Sequence, residues 1–482
     1  MKKLCINISL FFMLLTLSSC NDWLDEVKQT TTVSDEIIWQ DETQVDKYVN
    51  SFYPLLHDYG QFGEAQFYGS FTESLTDAFK YGSYTLGHRA GHPNLYVLTP
   101  DAISPDNCLY SIWLRSTAYK QIRETNQFLS LQRKYSEFSA DKNKLWEAQV
   151  RFFRAFVYFQ LAKRHGGVIL YDDLPVSTNK ARSSAEETWQ FIADDLDFAA
   201  NNLPKEWDAA NKGRITKGAA YALKSRAMLY AKRWQDAYDA ANNVIALKLY
   251  GLTDKYEDAW KGNNKEAILE FDYDAANGPN HLFDRYYVPQ CDGYDNGSTG
   301  TPTQEMVECY ESKNGEKIDR SNSSQLAKGA LPLKYGMDPD MKDGQSGIDV
   351  VIYRYADVLL TLAECINRNE GSPTTEAVGL VNRVRKRAGL PELEDAQTAS
   401  GEAFNEAILL ERGHEFYLEG LRRQDLIRFG KYVEYANNRI NAINSSEGRG
   451  YFNVHEGHNR FWIPQSFIDE SKGAIKQNDY DR

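Results

Sequence analysis

Apolar residues recur at helical spacing through most of this chain, and that period limits the fold to packed helices. Trp146, Val150, Phe153, Val157 and Leu161 stand four, three, four and four positions apart, the stripe of an amphipathic helix, and Gly166-Gly167 ends it. Ser183 or Ser184, followed by Glu186 and Glu187, can cap the next helix, whose apolar line is Trp189, Ile192, Leu196 and Ala199. Leu203-Pro204 stops it. A third helix is expected from Thr216, with Ala220, Leu223, Ala227, Tyr230 and Trp234 on one face, and its partner carries Ala237, Ala241 and Val244. Tyr353 to Asn367 and Thr375 to Ala388 read as a further pair.

Alanines at helix contacts, bulky aromatics one turn away and a turn near residue 233 resemble the tetratricopeptide pattern, best matched by Gly218 to Leu247. The units are unevenly spaced, so no regular array is expected. Two long irregular segments, 58–116 and 272–350, interrupt them. Segments of that length in a compact domain usually carry function.

The N-terminus reads as an address. Lys2 and Lys3 precede an apolar stretch, Leu4 to Leu17, which is too short to span a bilayer and suits a signal peptide over residues 1–19. Leu17-Ser18-Ser19-Cys20 resembles a bacterial lipobox, in which the cysteine is lipidated and becomes the mature N-terminus. Asn21-Asp22-Trp23-Leu24-Asp25-Glu26 resembles the surface-export signal of Bacteroidetes lipoproteins. The expected anchor is therefore lipid alone.

Charge narrows the partners. The 55 basic and 68 acidic side chains give −13, and loss of Lys2 and Lys3 with the leader makes the mature chain more acidic still. Such a surface repels phosphate backbones, which disfavours nucleic acid. The mature cysteines, Cys108, Cys291, Cys309 and Cys365, form no CxxC pair, and Cys291 with Cys309 is an open disulfide possibility.

Catalytic and metal signals fail on spacing. His414-Glu415 has no second histidine four positions on, and His455-Glu456-Gly457-His458 is one residue short of a zinc-protease helix. No nucleophile elbow, P-loop or dinucleotide fingerprint is found, so no cofactor is expected. Asp338, Asp340 and Asp343-Gly344 approach a calcium loop, but the glycine falls one position late and Asp349 occupies position twelve. Glu411, Glu415 and Glu419 share one helix face. A glycosidase instead holds its two carboxyls on separate elements across a cleft. With Arg412, Arg422, Arg423 and Arg428 nearby, they are expected to form a structural ion-pair network.

Aromatic placement is the informative signal. Tyr59, Phe62, Phe67, Tyr68, Phe71, Phe79, Tyr81, Tyr84 and Tyr96 fall within 38 residues, nearly twice the chain average of 13%, and follow neither helical nor strand period. A second group holds Phe271, Tyr273, Phe283, Tyr286, Tyr287 and Tyr294. Polar neighbours accompany both: Asp77, Lys80, His88, Arg89 and His92 in the first, Asn280, Asp284, Arg285, Asp292 and Asn296 in the second. Flat rings beside such groups suit the C–H faces and hydroxyls of sugars. More than half of these rings are expected to pack the loops onto the helices. The candidate ligand residues are Phe79, Tyr81, Tyr84, Arg89, Tyr286, Tyr287, Asp292, Tyr294 and Asn296, and neither cluster contains tryptophan.

Nearly end to end, the chain resembles the SusD/RagB family of Bacteroidetes outer-membrane lipoproteins. The resemblance is carried in order by Glu147 to Tyr158 with Arg164-His165-Gly166-Gly167, by Arg214 to Ala220, by Arg354 to Leu360 with Ala363-Glu364, and by Asn382 to Gly389. Glu411-Arg412, Glu415, Glu419 to Arg422 and Asp425 to Arg428 continue it. Trp462-Ile463-Pro464 and Gln477 to Tyr480 close it, with Asp479 where the family has proline. The resemblance implies a mainly α fold of tetratricopeptide-like pairs with long loops and minor β, as one SusD-like domain over residues 20–482. It also implies a surface lipoprotein that caps a SusC-like TonB-dependent transporter, captures glycans and catalyses nothing. A peptide-binding member of the same scaffold is the alternative, and a glycoside hydrolase is a more distant one.

Overall fold

The computed structural model describes residues 35–59, 72–81, 103–108, 112–113, 117–174, 180–274, 278, 281, 300–310, 347–447 and 453–478. Its principal helices are α1 (Glu42–Asn50), α2 (Thr117–Tyr135), α3 (Ala140–His165), α4 (Ala185–Asn202), α5 (Lys217–Tyr230), α6 (Trp234–Ala246), α7 (Tyr355–Glu370), α8 (Thr375–Ala388), α9 (Gly401–Glu415), α10 (Arg422–Arg428) and α11 (Tyr432–Glu447). From α2 to α8 each helix packs on the next, including α6 on α7 across the long segment between them. None of the described helices is long and apolar enough to cross a membrane.

Local signals set the helix ends. Ser184 and Glu187 form a reciprocal capping box, with Ser184 Oγ accepting from the Glu187 amide at 3.1 Å and the Glu187 carboxylate from the Ser184 amide at 2.7 Å. Thr216 and Thr374 cap α5 and α8 in the same one-sided way. Gly371 and Gly389, with φ of 72° and 78°, end α7 and α8 in the left-handed region where glycine carries no penalty.

The stripe read on α3 is buried, but the helix is not amphipathic. Seventeen of its 26 residues are buried, including Gln149, Arg154 and Arg164, because α2 and α4 cover it from two sides. Arg154 is accommodated by two 2.7 Å bonds to Asp195 and one to Asn126. Trp234 belongs to α6, not to α5. A turn through Lys232 at φ 60° separates the two, and the Arg233 amide donates back to Met228 O at 2.9 Å. Tyr353 and Arg354 fall in a strand ahead of α7, where the helical reading had placed them in the helix.

The strands among the described residues are β1 (Phe79–Tyr81), β2 (Ile103–Ser104), β3 (Asn107–Cys108), β4 (Ala267–Phe271), β5 (Gly300–Pro302) and β6 (Val350–Arg354). They form three antiparallel pairs: β1 with β5, β2 with β3, and β4 with β6. One large apolar cluster runs from α1 to α9. A smaller one, with Ala78, Trp260, Tyr273, Met306, Val350, Val351, Tyr417 and Leu418, lies where β1 meets the C-terminal helices.

Candidate functional site

Strands β1 and β5 bring the two aromatic-rich segments together. Phe79 pairs with Pro302, Lys80 with Thr301 and Tyr81 with Gly300. The foot of this ribbon is tied by backbone as well as side chains. The Thr303 amide donates to Ala78 O at 3.1 Å, its hydroxyl donates to Asp77 O, and Thr303 Oγ1 accepts from the Met306 amide at 3.1 Å, capping the short helix Gln304–Cys309.

Glu73 and Asp77 bolt that foot to the turn between α9 and α10. Leu418 and Gly420 adopt φ of 62° and 75°, and the turn so formed aims the Leu418, Gly420 and Leu421 amides at the buried Glu73 carboxylate, at 2.9, 2.7 and 3.1 Å. Asp77 takes both prongs of Arg422, and Arg439 donates to Thr76 O. Asp77 is thus a buried structural partner and not the hydroxyl-binding group suggested by its place in the sequence.

All three glutamates are used in ion pairs, as the sequence implied, but they do not share one helix face. Helix α9 ends at Glu415 and Glu419 lies in the turn after it, and the partners come from β6 and α8 and not from the neighbouring arginines. Glu411 meets Arg385 at 3.1 Å, Glu415 meets Arg354 and Arg387, and Glu419 meets Arg354 at 2.7 and 2.9 Å. Arg354 also reaches Glu266 at 2.9 Å. Arg412 joins Asp357 and Asp425, each at 2.9 Å, and Arg226 binds Asp357 from the other side at 2.8 Å. Burial raises the Asp357 carboxyl, but Arg226 and Arg412 outweigh it and hold it well below the usual carboxylate range.

Of the rings of the two aromatic groups that fall within the described residues, two are buried in the core. Tyr59 is buried and donates to Gln121 Oε1 at 2.6 Å. Tyr273 is buried in the ribbon-foot cluster, its ring 5.0 Å from Phe271 and 4.8 Å from His281. Phe79 and Tyr81, with Lys80, lie in β1. Tyr84, Arg89, Tyr286, Tyr287, Asp292, Tyr294 and Asn296 lie outside the described residues, as do Cys20 and residues 338–346 of the calcium-like loop. Its last position, Asp349, accepts the Tyr273 amide at 2.8 Å. Cys309 and Cys365 are free thiols, and Cys309 Sγ sits 3.2 Å from His414 Nε2. Burial pushes the Cys309 thiol up to about 11.

One lined cleft escaped the sequence reading. It opens between the loop after α4 and strand β4, with Trp207, Tyr250 and Glu270 in its wall. The one sequence cue was a tryptophan three residues beyond the Leu203-Pro204 stop.

Two sequence models of one family match the chain, the "SusD family" over residues 328–480 and "Starch-binding associating with outer membrane" over residues 22–229. The chain belongs to the SusD/RagB family. A SusD-like protein of Bacteroides ovatus is 26% identical over 364 residues, covering 63% of this chain and 62% of that protein, so the match spans less than two thirds of that relative. SusD-like protein P38 of Formosa agariphila is 24% identical over 491 residues, covering 89% and 92%. The SusD-like fold is shared with surface glycan-binding protein A from Bacteroides thetaiotaomicron in complex with laminarihexaose, at a TM-score of 0.70, 22% identity, and coverage of 91% of this chain and 99% of that one.

Proposed function

We propose that this SusD-like chain is a lipid-anchored, surface-exposed protein of the outer membrane that binds glycans and delivers them to a SusC-like TonB-dependent transporter. The observation that carries the reading is the β1·β5 ribbon. Segments more than 200 positions apart in sequence share one root, so Phe79, Tyr81, Tyr84 and Arg89 from one and Tyr286, Tyr287, Asp292, Tyr294 and Asn296 from the other can serve a common platform. Stacking rings with amide, carboxylate and guanidinium neighbours suit a polyhydroxylated ligand. The laminarihexaose complex of a protein with this fold supports a sugar ligand, and the starch-binding, outer-membrane description of the matching family model supports both ligand and location. The lipobox ending in Cys20 supports the anchor.

Binding proceeds without chemistry in this reading. Each of the glutamates that could have suggested acid–base work, Glu411 and Glu415 on α9 and Glu419 in the turn after it, is committed to an arginine. Calorimetry of the mature chain against maltohexaose, laminarihexaose and xylohexaose tests the reading, with reducing-end assays in parallel. Binding of at least one sugar with no reducing ends released is expected. Binding of a peptide library with no affinity for any sugar overturns the glycan assignment, and sugar hydrolysis overturns the non-catalytic one.

A further inference from the structure

The cleft beside β4 measures about 710 Å³, and none of its lining residues belongs to β1 or β5. That volume lies within the usual range of small-molecule sites, roughly 300–1,000 Å³. Its walls are fixed by the backbone. The loop after α4 folds back on the start of α5, with the Lys217 amide donating to Pro204 O at 2.8 Å and Trp207 Nε1 to Ile215 O at 2.8 Å. Trp207 is half-buried, with the Arg214 guanidinium 5.5 Å from its ring centre. Tyr250 packs so closely over Gly218 that a Cβ there would fall 2.2 Å from its hydroxyl oxygen. Lys212, bonded to Asn263, stands at the rim.

Glu270 is the anomaly in this wall. Its Oε1 accepts only a long 3.4 Å bond from the Asn263 amide, while Oε2 is shut off from solvent and has no hydrogen-bond partner. Burial and the neighbouring Asp272 push its carboxyl up to about 7. A carboxylate oxygen left buried without a donor is costly, and native structures rarely keep one without a use. Oε1, held by that one long bond, keeps acceptor capacity for a donor in the cleft, which Glu270 helps to line.

The geometry points to a second glycan site in this cleft, taking a short neutral segment of sugar with a C–H face on Trp207 and a hydroxyl donated to Glu270. It rests on the glycan-binding reading above but uses different residues, Trp207 in the loop after α4 and Glu270 on β4. The lining carries four cationic side chains, Lys205, Lys212, Arg214 and Lys265, against four carboxylates, so no net charge favours an ion, and an aromatic wall beside an acceptor fits a neutral polyol.

Calorimetry with maltohexaose, laminarihexaose and xylohexaose separates the two sites. The chains compared are wild type, Trp207→Ala, Glu270→Gln, and a loop double variant, Tyr84→Ala with Tyr294→Ala. The expected result is two sites per chain for at least one sugar. Trp207→Ala weakens one of them at least about ten-fold and the near-isosteric Glu270→Gln about three- to ten-fold, with melting curves unchanged for Glu270→Gln. If the loop variant loses all binding while both cleft variants match wild type, the cleft proposal falls and the ribbon reading stands. If the cleft variants lose all binding and the loop variant does not, the ribbon reading falls and the cleft stands. If no sugar binds wild type, both fall.

Discussion

Asp77 and Arg422 lie 345 positions apart and meet in a two-pronged pair, Oδ1 to Nε at 3.0 Å and Oδ2 to Nη2 at 2.7 Å. Both are buried, so the pair fixes the base of β1 against the start of α10. Removing one partner strands the other charge. Arg422→Met is expected to cost about 3–5 kcal/mol, and adding Asp77→Asn to recover part of that loss. Urea denaturation of the single and double variants checks it; a single variant within about 1 kcal/mol of wild type means that the ribbon is held by other contacts.

Stability should fall in mild acid. His165 is fully buried at the end of α3, with Nδ1 3.2 Å from Phe461 O. Burial pushes its pKa down to about 3, with Arg164, Arg182 and Arg423 adding to the drop and the Phe461 carbonyl opposing it. An unfolded histidine titrates near 6.5. The contribution is therefore complete above about pH 6.5 and shrinks below it, by at most about 1.4 kcal/mol per pH unit, down to the folded pKa. His458, pushed down to about 4 chiefly by burial, acts with the same sign. Asp357, held low by its two arginines, keeps its charge throughout the range from pH 6.5 to 5 and adds nothing there. Melting temperature should drop across that range and drop less in His165→Gln; equal slopes would rule His165 out.

Two glycines should respond oppositely to alanine. A Cβ on Gly167 would lie 2.1 Å from the Ser183 carbonyl oxygen, a backbone atom that cannot rotate away, whereas Gly379 on α8 has nothing within 4 Å. Gly167→Ala should cost several degrees of melting temperature. Gly379→Ala should gain up to about 1 kcal/mol from helix propensity. Matching melts for the two variants would show that the chain reversal after α3 tolerates a side chain.

On the proposed lipobox reading, Cys20→Ala should release the protein from the outer membrane, because the apolar stretch Leu4 to Leu17 is too short to hold it there. Membrane fractionation with labelled fatty acid checks it. A variant that stays membrane-bound and still carries label contradicts the lipobox.

Tyr81→Ala or Tyr84→Ala, and separately Tyr287→Ala or Tyr294→Ala, should weaken glycan binding by about 1–2 kcal/mol, roughly ten- to thirty-fold, without loss of fold. Calorimetry with circular-dichroism melts as control tests this. Wild-type affinity in all four moves the platform elsewhere, and lowered melts make these rings core.

What the sequence discloses is local. The Ser184–Glu187 box, the Thr216 cap and the span of α8 are set by residues within a few positions of each other, so spacing alone finds them. That Glu411, Glu415 and Glu419 enter ion pairs was legible from their charge spacing, but their partners were not. Arg354, Arg385 and Arg387 come from β6 and α8, while Arg412, Arg422 and Arg428 of their own stretch pair with aspartates and with Glu364. Arg354 was misplaced in a helix because its strand exists only through pairing with Ala267–Phe271, far away in the chain. Asp77 and Tyr273 looked like ligand groups because neither the pairing with Arg422 nor the packing around Met306 and Tyr417 leaves any trace in the neighbouring sequence. Trp207 was passed over because a single ring in a turn has no period.

Among the described residues, three rungs of pairing join β1 to β5. For anyone building chimeras, this sets the unit of exchange. Swapping one loop from a relative while keeping the other would mate a foreign half to a native one at Tyr81 and Gly300. Moving both together, with joints at Phe79 and Pro302, leaves Asp77, Thr303 and the helices beneath them untouched. On the proposed platform, selectivity would be a paired inheritance, carried by two stretches of chain that are replaced as a couple.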